Sequence, residues 1–274
     1  MHFDASKMNN YTQRIGMKNK ILDRLKALDG RIGFYYKNLV TKEVIAYHED
    51  EAYMAASVIK LYIMAEAVRQ CKEGILSKDD MVTIHKENCV PSCGALTYMH
   101  DGLQVTMEDL YTLMIILSDN SATNYLIDIL GEEKINEGIL ALGHKHTSLN
   151  RKMYDVQKSA QGIQNYVCPS ELADFLERLY EGKLFDAKSS EHMLSIMKDQ
   201  RLNGKIPFFI HTIPEHGAIA HKTGEDTNIT HDVGIVYAKQ PFILIFLGNE
   251  TDVAKYEREM AEISLLLYEQ ADKE

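Results

Sequence analysis

The chain has no long apolar run, few positive charges relative to negative ones and few cysteines, and each of these features excludes some classes of protein. No stretch approaches the roughly 18 uninterrupted apolar residues that a membrane-spanning helix requires. Positive charge is scarce, since 30 lysines and arginines against 40 aspartates and glutamates leave a formal net charge of -10. A phosphate-binding surface needs a basic face, so nucleic acid is not expected as a general partner. A local cationic pocket is still compatible with this balance.

Cysteines are few, at positions 71, 89, 93 and 168, and they form no recognisable pattern. Three residues separate Cys89 from Cys93, and no second pair of cysteines or histidines follows at zinc-site spacing. Reduced thiols are therefore expected, as in a reducing compartment. Residues 1–7 contain no apolar core and no small-residue cleavage site, so no signal peptide is predicted. This favours a cytoplasmic protein, or a periplasmic or secreted one if the sequence is a trimmed mature form.

The sequence contains no recognisable metal-binding or phosphate-binding motif. His144-Lys145-His146 has neither the His-Glu-x-x-His pattern nor a third ligand at a suitable distance, and a surface loop is the simpler interpretation. No glycine-rich phosphate loop follows a predicted strand. We therefore expect no metal and no cofactor.

The predicted elements follow one another as helix, two strands, a long helical region, three strands and helix. Residues 17–28 have helical spacing, and strand-like runs follow at 31–36 and 44–47. From Ser57 to about Leu202 nearly everything is predicted to be helix or loop. After Pro207 the pattern changes to strands, and a closing helix is predicted over 251–269. The later strands are predicted at 218–221, 233–237 and 242–247.

This order predicts an α/β fold with two lobes. The simplest assembly pairs all five strands in one antiparallel sheet that is covered by the terminal helices. The sheet lobe would comprise residues 1–55 and 206–274, and an all-helical lobe residues 56–205, within one compact domain. Because the helical lobe is inserted into the sheet lobe, a cleft between them is expected, and such clefts host binding sites.

Residues Ser57-Val58-Ile59-Lys60 lie at the predicted start of an apolar helix over 61–68. Positions i and i+3 share one helix face, which brings Lys60 beside Ser57. A serine at a helix N-terminus feels the positive end of the helix dipole. Burial lowers the pKa of a lysine, and a neutral lysine can accept a proton. The pattern therefore predicts that Ser57 is a nucleophile that needs no histidine.

Each short motif has an ordinary alternative when it is taken alone. A Ser-x-x-Lys pattern is common, and Ser195-Ile196-Met197-Lys198 is a second copy that could be a plain helix start with a solvated lysine. Ser118-Asp119-Asn120 could be a turn and helix cap, and Lys222-Thr223-Gly224 a strand end with a turn glycine. Chain order distinguishes the copies, because Ser195 follows Ser118 whereas Ser57 precedes it.

The ordered trio Ser-x-x-Lys, Ser-Asp-Asn and Lys-Thr-Gly resembles that of class A β-lactamases and penicillin-binding proteins. The resemblance extends from about Ile32 to the C-terminal helix, and it is closest to class A β-lactamases. It implies a serine hydrolase that opens the β-lactam ring through an acyl-enzyme on Ser57. It also implies a small-molecule β-lactam, or a peptide or ester, as substrate, and we expect a monomer.

The acyl-transfer chemistry assigns catalytic roles to these motifs. Ser57 is the predicted nucleophile and Lys60 the base, or one half of it. Ser118 can pass a proton between the lysine and the leaving nitrogen. The family pattern further implies an oxyanion hole formed by the backbone N–H groups of Ser57 and Glu225.

The remaining motif residues are predicted to bind the substrate. The Asn120 side chain can donate to and accept from a substrate amide. Lys222 and Thr223 offer a cation and a hydroxyl to a substrate carboxylate. Gly224 allows the substrate to lie close against the strand edge.

One loop departs from the family pattern. Class A enzymes resemble one another in an Arg-x-Glu-x-x-x-Asn loop, whose Glu positions the water that frees the acyl-enzyme. Here Arg151 matches the Arg, Met153 replaces the Glu and Gln157 replaces the Asn. Methionine cannot act as a base, so slow or differently assisted deacylation is expected. Asp155 is the nearest carboxylate and a candidate catalytic residue, although pairing with Arg151 is the simpler interpretation.

The segment after Lys-Thr-Gly, which is expected to bind the substrate carboxylate, also departs from the family pattern. Many class A enzymes carry an Arg after Lys-Thr-Gly that helps to hold the substrate carboxylate, whereas Asp232 stands at the following strand start and has the opposite charge. Two alternatives to a β-lactamase therefore stay open. One is a related acyl-enzyme-forming D-Ala-D-Ala peptidase or esterase, and the other is a non-hydrolytic sensor that traps a β-lactam on Ser57.

Overall fold

A computed structural model describes residues 5–91 and 93–273, with side chains from residue 15 onward. The expectation about a signal peptide rests on residues 1–7, of which the first four lie outside the described residues. Among the described helices, none combines the length and the apolar character needed to cross a bilayer. All four cysteines are thiols.

The elements were assigned as follows, in chain order. The strands are β1 (Arg31–Asn38), β2 (Val44–Tyr47), β3 (Tyr53–Met54), β4 (Met81–Ile84), β5 (Leu103–Thr106), β6 (Tyr166–Val167), β7 (Ile219–Asp226), β8 (Ile229–Val236) and β9 (Phe242–Asn249). The helices are α1 (Ala5–Lys26), α2 (Lys60–Lys72), α3 (Met107–Ile116), α4 (Asn120–Leu130), α5 (Glu132–Ala141), α6 (Val156–Ala160), α7 (Pro169–Tyr180), α8 (Ala187–Lys198), α9 (Pro207–Ile210) and α10 (Val253–Lys273).

A five-stranded antiparallel sheet in the order β2-β1-β9-β8-β7 confirms the predicted architecture. Strand β9 is buried along its whole length, and its side chains alternate between two cores because successive residues point to opposite faces. Phe242, Leu244 and Phe246 pack in the core that includes residues of α1 and α10. Ile243, Ile245 and Leu247 pack in the core that includes the inserted helices. Strand β7 is left at the edge of the sheet.

The helices between β2 and β7 are organised around α2. Residues 60–68 of this helix are all buried, which confirms the prediction of a buried rather than a surface helix. The same region contains two small antiparallel sheets that the sequence did not predict, β3 with β6 and β4 with β5. Strands β3 and β6 have only two residues each, which is too short to show a period in the sequence.

Two local predictions are wrong. Lys222-Thr223-Gly224 was expected to follow a strand over 218–221, but it lies inside β7, which continues to Asp226 because β8 pairs with it along its whole length. His144 was expected in a surface loop, yet it is 3% exposed. Its ring nitrogens contact the Tyr62 hydroxyl at 3.0 Å and Asp174 at 2.9 Å, and these partners allow a polar ring to be buried.

Candidate active site

Ser57 lies in a 3-10 turn, Ala56–Ile59, one turn before the α-helix that was expected to begin at this serine. Ala56 has a φ of 42°, in the left-handed region that costs energy for a residue with a Cβ atom. The turn packs closely against β7. A Cβ atom at Gly224 would lie 3.1 Å from Val58 Cγ2, so this glycine is required by close approach. Ser57 is half-buried and lines a cavity.

Lys60 is fully buried, and its amine has three hydrogen-bond partners. Its Nζ atom lies 2.7 Å from the Ser118 carbonyl oxygen, 3.0 Å from Ser118 Oγ and 2.8 Å from Asn120 Oδ1. Within residues 5–91 and 93–273, no hydrogen bond joins the Ser57 hydroxyl to this amine. The structure therefore brings Lys60 together with the Ser-Asp-Asn motif, while the direct contact with Ser57 stays a prediction.

Two amines flank the Ser118 hydroxyl. Lys222 Nζ lies 3.1 Å from Ser118 Oγ and 2.7 Å from the Thr223 carbonyl oxygen, and it is fully buried like Lys60. Burial lowers the pKa of Lys60 well below its ordinary value, and the neighbouring Lys222 charge adds to the effect. Burial, followed by the Lys205 charge, lowers the pKa of Lys222 to about 7. A hydroxyl has one proton and two acceptor positions, so Ser118 can pass a proton between these amines.

The side chain of Asp119, the middle residue of the Ser-Asp-Asn motif, fixes the motif to its neighbours. This carboxylate caps α4 by accepting from the Ala122 N–H at 2.9 Å, so the helix-cap interpretation is also correct. It further accepts from the N–H groups of Ala95 and Leu96 at 2.7 and 2.9 Å. These bonds fix the segment that carries Cys93, which lines the cavity and was not predicted as a site residue.

The edge strand β7 forms one wall of the cavity through Thr223, Glu225 and Asp226. Along a strand, residues two apart share one face, which places Thr223 and Glu225 side by side. An edge strand also leaves backbone N–H and C=O groups available to an extended ligand. This wall thus combines a hydroxyl, a carboxylate and main-chain hydrogen-bonding groups.

The opposite wall is the loop over 150–165. Asn165 ties its two ends together, since its Oδ1 atom accepts from the N–H groups of Asn150 and Arg151 and its Nδ2 atom donates to the Arg151 carbonyl oxygen. The Arg151 guanidinium donates to Gln164 Oε1 at 2.7 and 3.0 Å. The expected pairing of Arg151 with Asp155 is wrong, because Asp155 caps α6 by accepting from the Lys158 N–H at 2.9 Å. Asp155 does line the cavity.

Met153 lines the same cavity with 9% of its surface exposed. Its backbone is held on both sides by Asn124, whose Oδ1 atom accepts from the Met153 N–H at 2.8 Å and whose Nδ2 atom donates to the Met153 carbonyl oxygen at 3.0 Å. Sequence reasoning missed Asn124. A signal existed, because Asn124 lies four residues after Asn120 on α4 and hence on the same helix face as a motif residue.

The expectation for Asp232 is also corrected. Its carboxylate is fully buried, contacts His221 Nδ1 at 2.8 Å and accepts from the Ile206 N–H at 3.0 Å, and it does not line the cavity. The cation near this wall is Lys205, whose Nζ atom donates to Glu225 Oε1 at 3.0 Å. No pattern in the sequence marks Lys205, since its place depends on the packing of the segment before α9.

The cavity between the two walls has a volume of about 680 Å³, within the range of small-molecule sites. Ser57, Ser118 and Asn120 open into it, while Lys60 and Lys222 lie buried behind Ser118. Such an arrangement is suited to acyl transfer onto a serine, because it combines a hydroxyl nucleophile, a desolvated amine and a proton path. The fold and this cavity together point to the class of serine hydrolases.

Comparison with known proteins agrees with this class. The family model described as the β-lactamase enzyme family matches residues 16–271, and the chain belongs to this family. A β-lactamase of Proteus vulgaris is 25% identical over 259 residues, which are 88% of this chain and 83% of that protein. The crystal structure of a β-lactamase from Sphaerobacter thermophilus superposes with a TM-score of 0.86 at 26% identity, over 94% of this chain and 98% of that one.

Two structures described as PBP-A share this fold with slightly lower TM-scores. The structure described as PBP-A has a TM-score of 0.84 at 23% identity, over 94% of this chain and 97% of that one. A mutant of PBP-A, described as an acyl-enzyme complex with penicillin G, has the same TM-score and identity. The structural likenesses confirm the predicted fold, and the family model confirms the predicted superfamily, so the protein is a serine β-lactamase-family hydrolase.

Proposed function

We propose that this hydrolase opens β-lactam rings through an acyl-enzyme on Ser57 and releases the acyl group slowly. The observation that carries the proposal is the pair of buried amines, Lys60 and Lys222, on the two sides of the Ser118 hydroxyl next to the Ser57 turn. Their desolvation favours the neutral, proton-accepting form at least of Lys60. The absence of a carboxylate at Met153 supports slow release.

The neutral form of Lys60 fits its surroundings. A neutral amine has two N–H donors, which match the Ser118 carbonyl oxygen and Asn120 Oδ1, two groups that can only accept. Its lone pair is then left for a hydroxyl. Ser118 Oγ faces it in this structure, and the proposal requires that the Ser57 hydroxyl also reaches it.

Acylation then proceeds in balanced steps. Ser57 Oγ attacks the lactam carbonyl carbon and its proton passes to Lys60, while the backbone N–H groups of Ser57 and Glu225 hold the developing oxyanion. The C–N bond breaks, and the leaving nitrogen takes a proton from Ser118, which is resupplied by the lysines. The products are a Ser57 ester and an amine within one molecule.

Release of the ester requires a water activated by a base, and the position of Met153 offers none. Asp155 lines the cavity, but one of its oxygens is occupied as the cap of α6. We therefore assign Asp155 at most a secondary role in deacylation. Arg151 and Asn165 keep the loop closed, so an acyl group would lie against the apolar Met153 side chain.

Intact-mass spectrometry with penicillin G tests the proposal. The wild-type protein is expected to gain the mass of one penicillin and to lose it slowly, whereas Ser57→Ala gains none. Ser195→Ala serves as the matched control, because Ser195 begins the second Ser-x-x-Lys copy and is exposed on α8. Asp155→Ala should acylate like the wild type. Lack of an adduct on the folded wild-type protein would refute the acyl-enzyme, and rapid sustained hydrolysis of a chromogenic cephalosporin would refute slow release.

A second candidate is a penicillin-binding-protein-like peptidase or esterase, or a sensor that is acylated and not regenerated. The observation in its favour is again Met153, since such proteins need no fast ester hydrolysis. The two candidates are separated by adding a D-Ala-D-Ala peptide and a thioester analogue. Cleavage of these substrates with a persistent penicillin adduct supports the second candidate, and a persistent adduct without any cleavage supports the sensor.

A further inference from the structure

A carboxylate of the protein lies beside the residues to which binding of a substrate carboxylate is assigned. Glu225 follows Thr223 on the same face of β7, lines the cavity and has 55% of its side chain exposed. Its Oε1 atom accepts from Lys205 Nζ at 3.0 Å. The Lys222–Thr223 pair, to which carboxylate binding is assigned, is therefore adjacent to an ion pair that already contains an anion.

Lys205 has little contact with solvent and several protein partners. It is 3% exposed, and its Nζ atom also donates to the His231 carbonyl oxygen at 3.2 Å. A second carboxylate, that of Glu257 on α10, lies 3.5 Å away. Two acidic residues thus neutralise one buried ammonium, Glu225 from the cavity and Glu257 from the side of α10.

The two carboxylates differ in how firmly they are held. Glu257 Oε1 also accepts from the buried Thr230 hydroxyl at 2.8 Å, and the side chain is 32% exposed. Within the described part of the chain, Lys205 is the one hydrogen-bond donor to the Glu225 carboxylate. Glu225 is therefore the partner that an incoming anion would have to displace or tolerate.

We infer that Glu225 is a specificity-determining residue. Its carboxylate pairs with the Lys205 ammonium and thereby lowers the preference of the enzyme for substrates that carry a carboxylate next to the scissile amide. The inference rests on the proposed function and deepens it. Two carboxylates close to one ammonium repel each other, so the second is bound less tightly than the first. Substrates with an ester or amide at this position are spared the repulsion.

The test compares penicillin G with its methyl ester, which differ in charge at this one group. The ratio of their acylation rates, acid over ester, is measured by intact mass. Glu225→Gln removes the charge and keeps the shape. It should raise the ratio about two- to fivefold, because the Glu225 side chain is 55% exposed and solvent screens its charge. Asp226→Asn removes a neighbouring cavity carboxylate that does not pair with Lys205, and it should change the ratio less than Glu225→Gln does.

An unchanged ratio in Glu225→Gln overturns the inference, and so does an equal rise in Asp226→Asn, which would indicate general repulsion. A parallel measurement does not depend on acylation. Calorimetry gives the affinities of the acid and the ester for Ser57→Ala with and without Glu225→Gln. If the wild-type protein forms no adduct but this affinity ratio rises about two- to fivefold, the proposed function fails and the inference stands. If neither compound binds, the inference is refuted.

Discussion

Replacing Met153 by glutamate should convert slow release of the acyl group into turnover. The side chain at this position lines the cavity, and Asn124 holds the backbone through bonds of 2.8 and 3.0 Å. Those bonds involve main-chain atoms of residue 153, so the substitution leaves them intact. A carboxylate would therefore replace the methionine at a fixed place opposite Ser57, where it can take a proton from a water.

The size of the effect follows from the chemistry of the added group. General-base catalysis contributes about 10²- to 10⁴-fold, and we expect about 10²-fold here because no other residue has adapted to the new base. The substitution also places a carboxylate where 9% of a side chain is exposed. Burying an ionised carboxylate costs several kcal/mol, more than burying a neutral polar group, and should lower the melting temperature.

The assay is a penicillin pulse followed by time-resolved intact mass, which separates formation of the ester from its loss. Met153→Gln is the matched control, because glutamine has a similar shape and cannot act as a base. Acylation should be similar in all three proteins, and only Met153→Glu should lose the adduct faster. If folded and acylated Met153→Glu releases the ester no faster than Met153→Gln, the assignment of this position to deacylation is wrong.

Three further outcomes are expected. Asn124→Ala leaves the Met153 backbone groups unsatisfied and should cost about 1–3 kcal/mol in thermal unfolding, with partial recovery in Asn124→Asp, which keeps the acceptor. Lys222 has a pKa of about 7 in the folded protein and 10.5 ordinarily, so between these pH values the folded state binds fewer protons than the unfolded state. The free energy of unfolding in urea, relative to that of Lys222→Met, should therefore rise with pH over this window. The rate of acylation by carboxylate substrates should fall above pH 7. Gly224→Ala would press a Cβ atom against Val58 and should lower both acylation and melting temperature, whereas Gly204→Ala, with open space around its Cβ, should change neither.

The sequence alone predicted that Ser57 is a nucleophile activated by a lysine, because the prediction depends on local patterns. Strand alternation, helical spacing and the order of three short motifs are local properties, and each can be recognised without knowing which segments touch. They predicted the antiparallel sheet, the buried helix after Ser57 and the superfamily. The small sheet of β3 with β6 was not predicted, because its strands have only two residues each and pair across a long stretch of chain.

Contacts between distant residues were decided by the tertiary structure alone. Packing places Lys60 against Ser118 and Asn120, holds Met153 on Asn124 and puts Lys205 behind Glu225. The register of β8 on β7 buries Asp232 against His221, although its charge in the sequence suggested a defect in substrate binding. A sequence specifies which groups are present, but the distance between two of them, and hence their pKa and partners, depends on how the intervening elements pack.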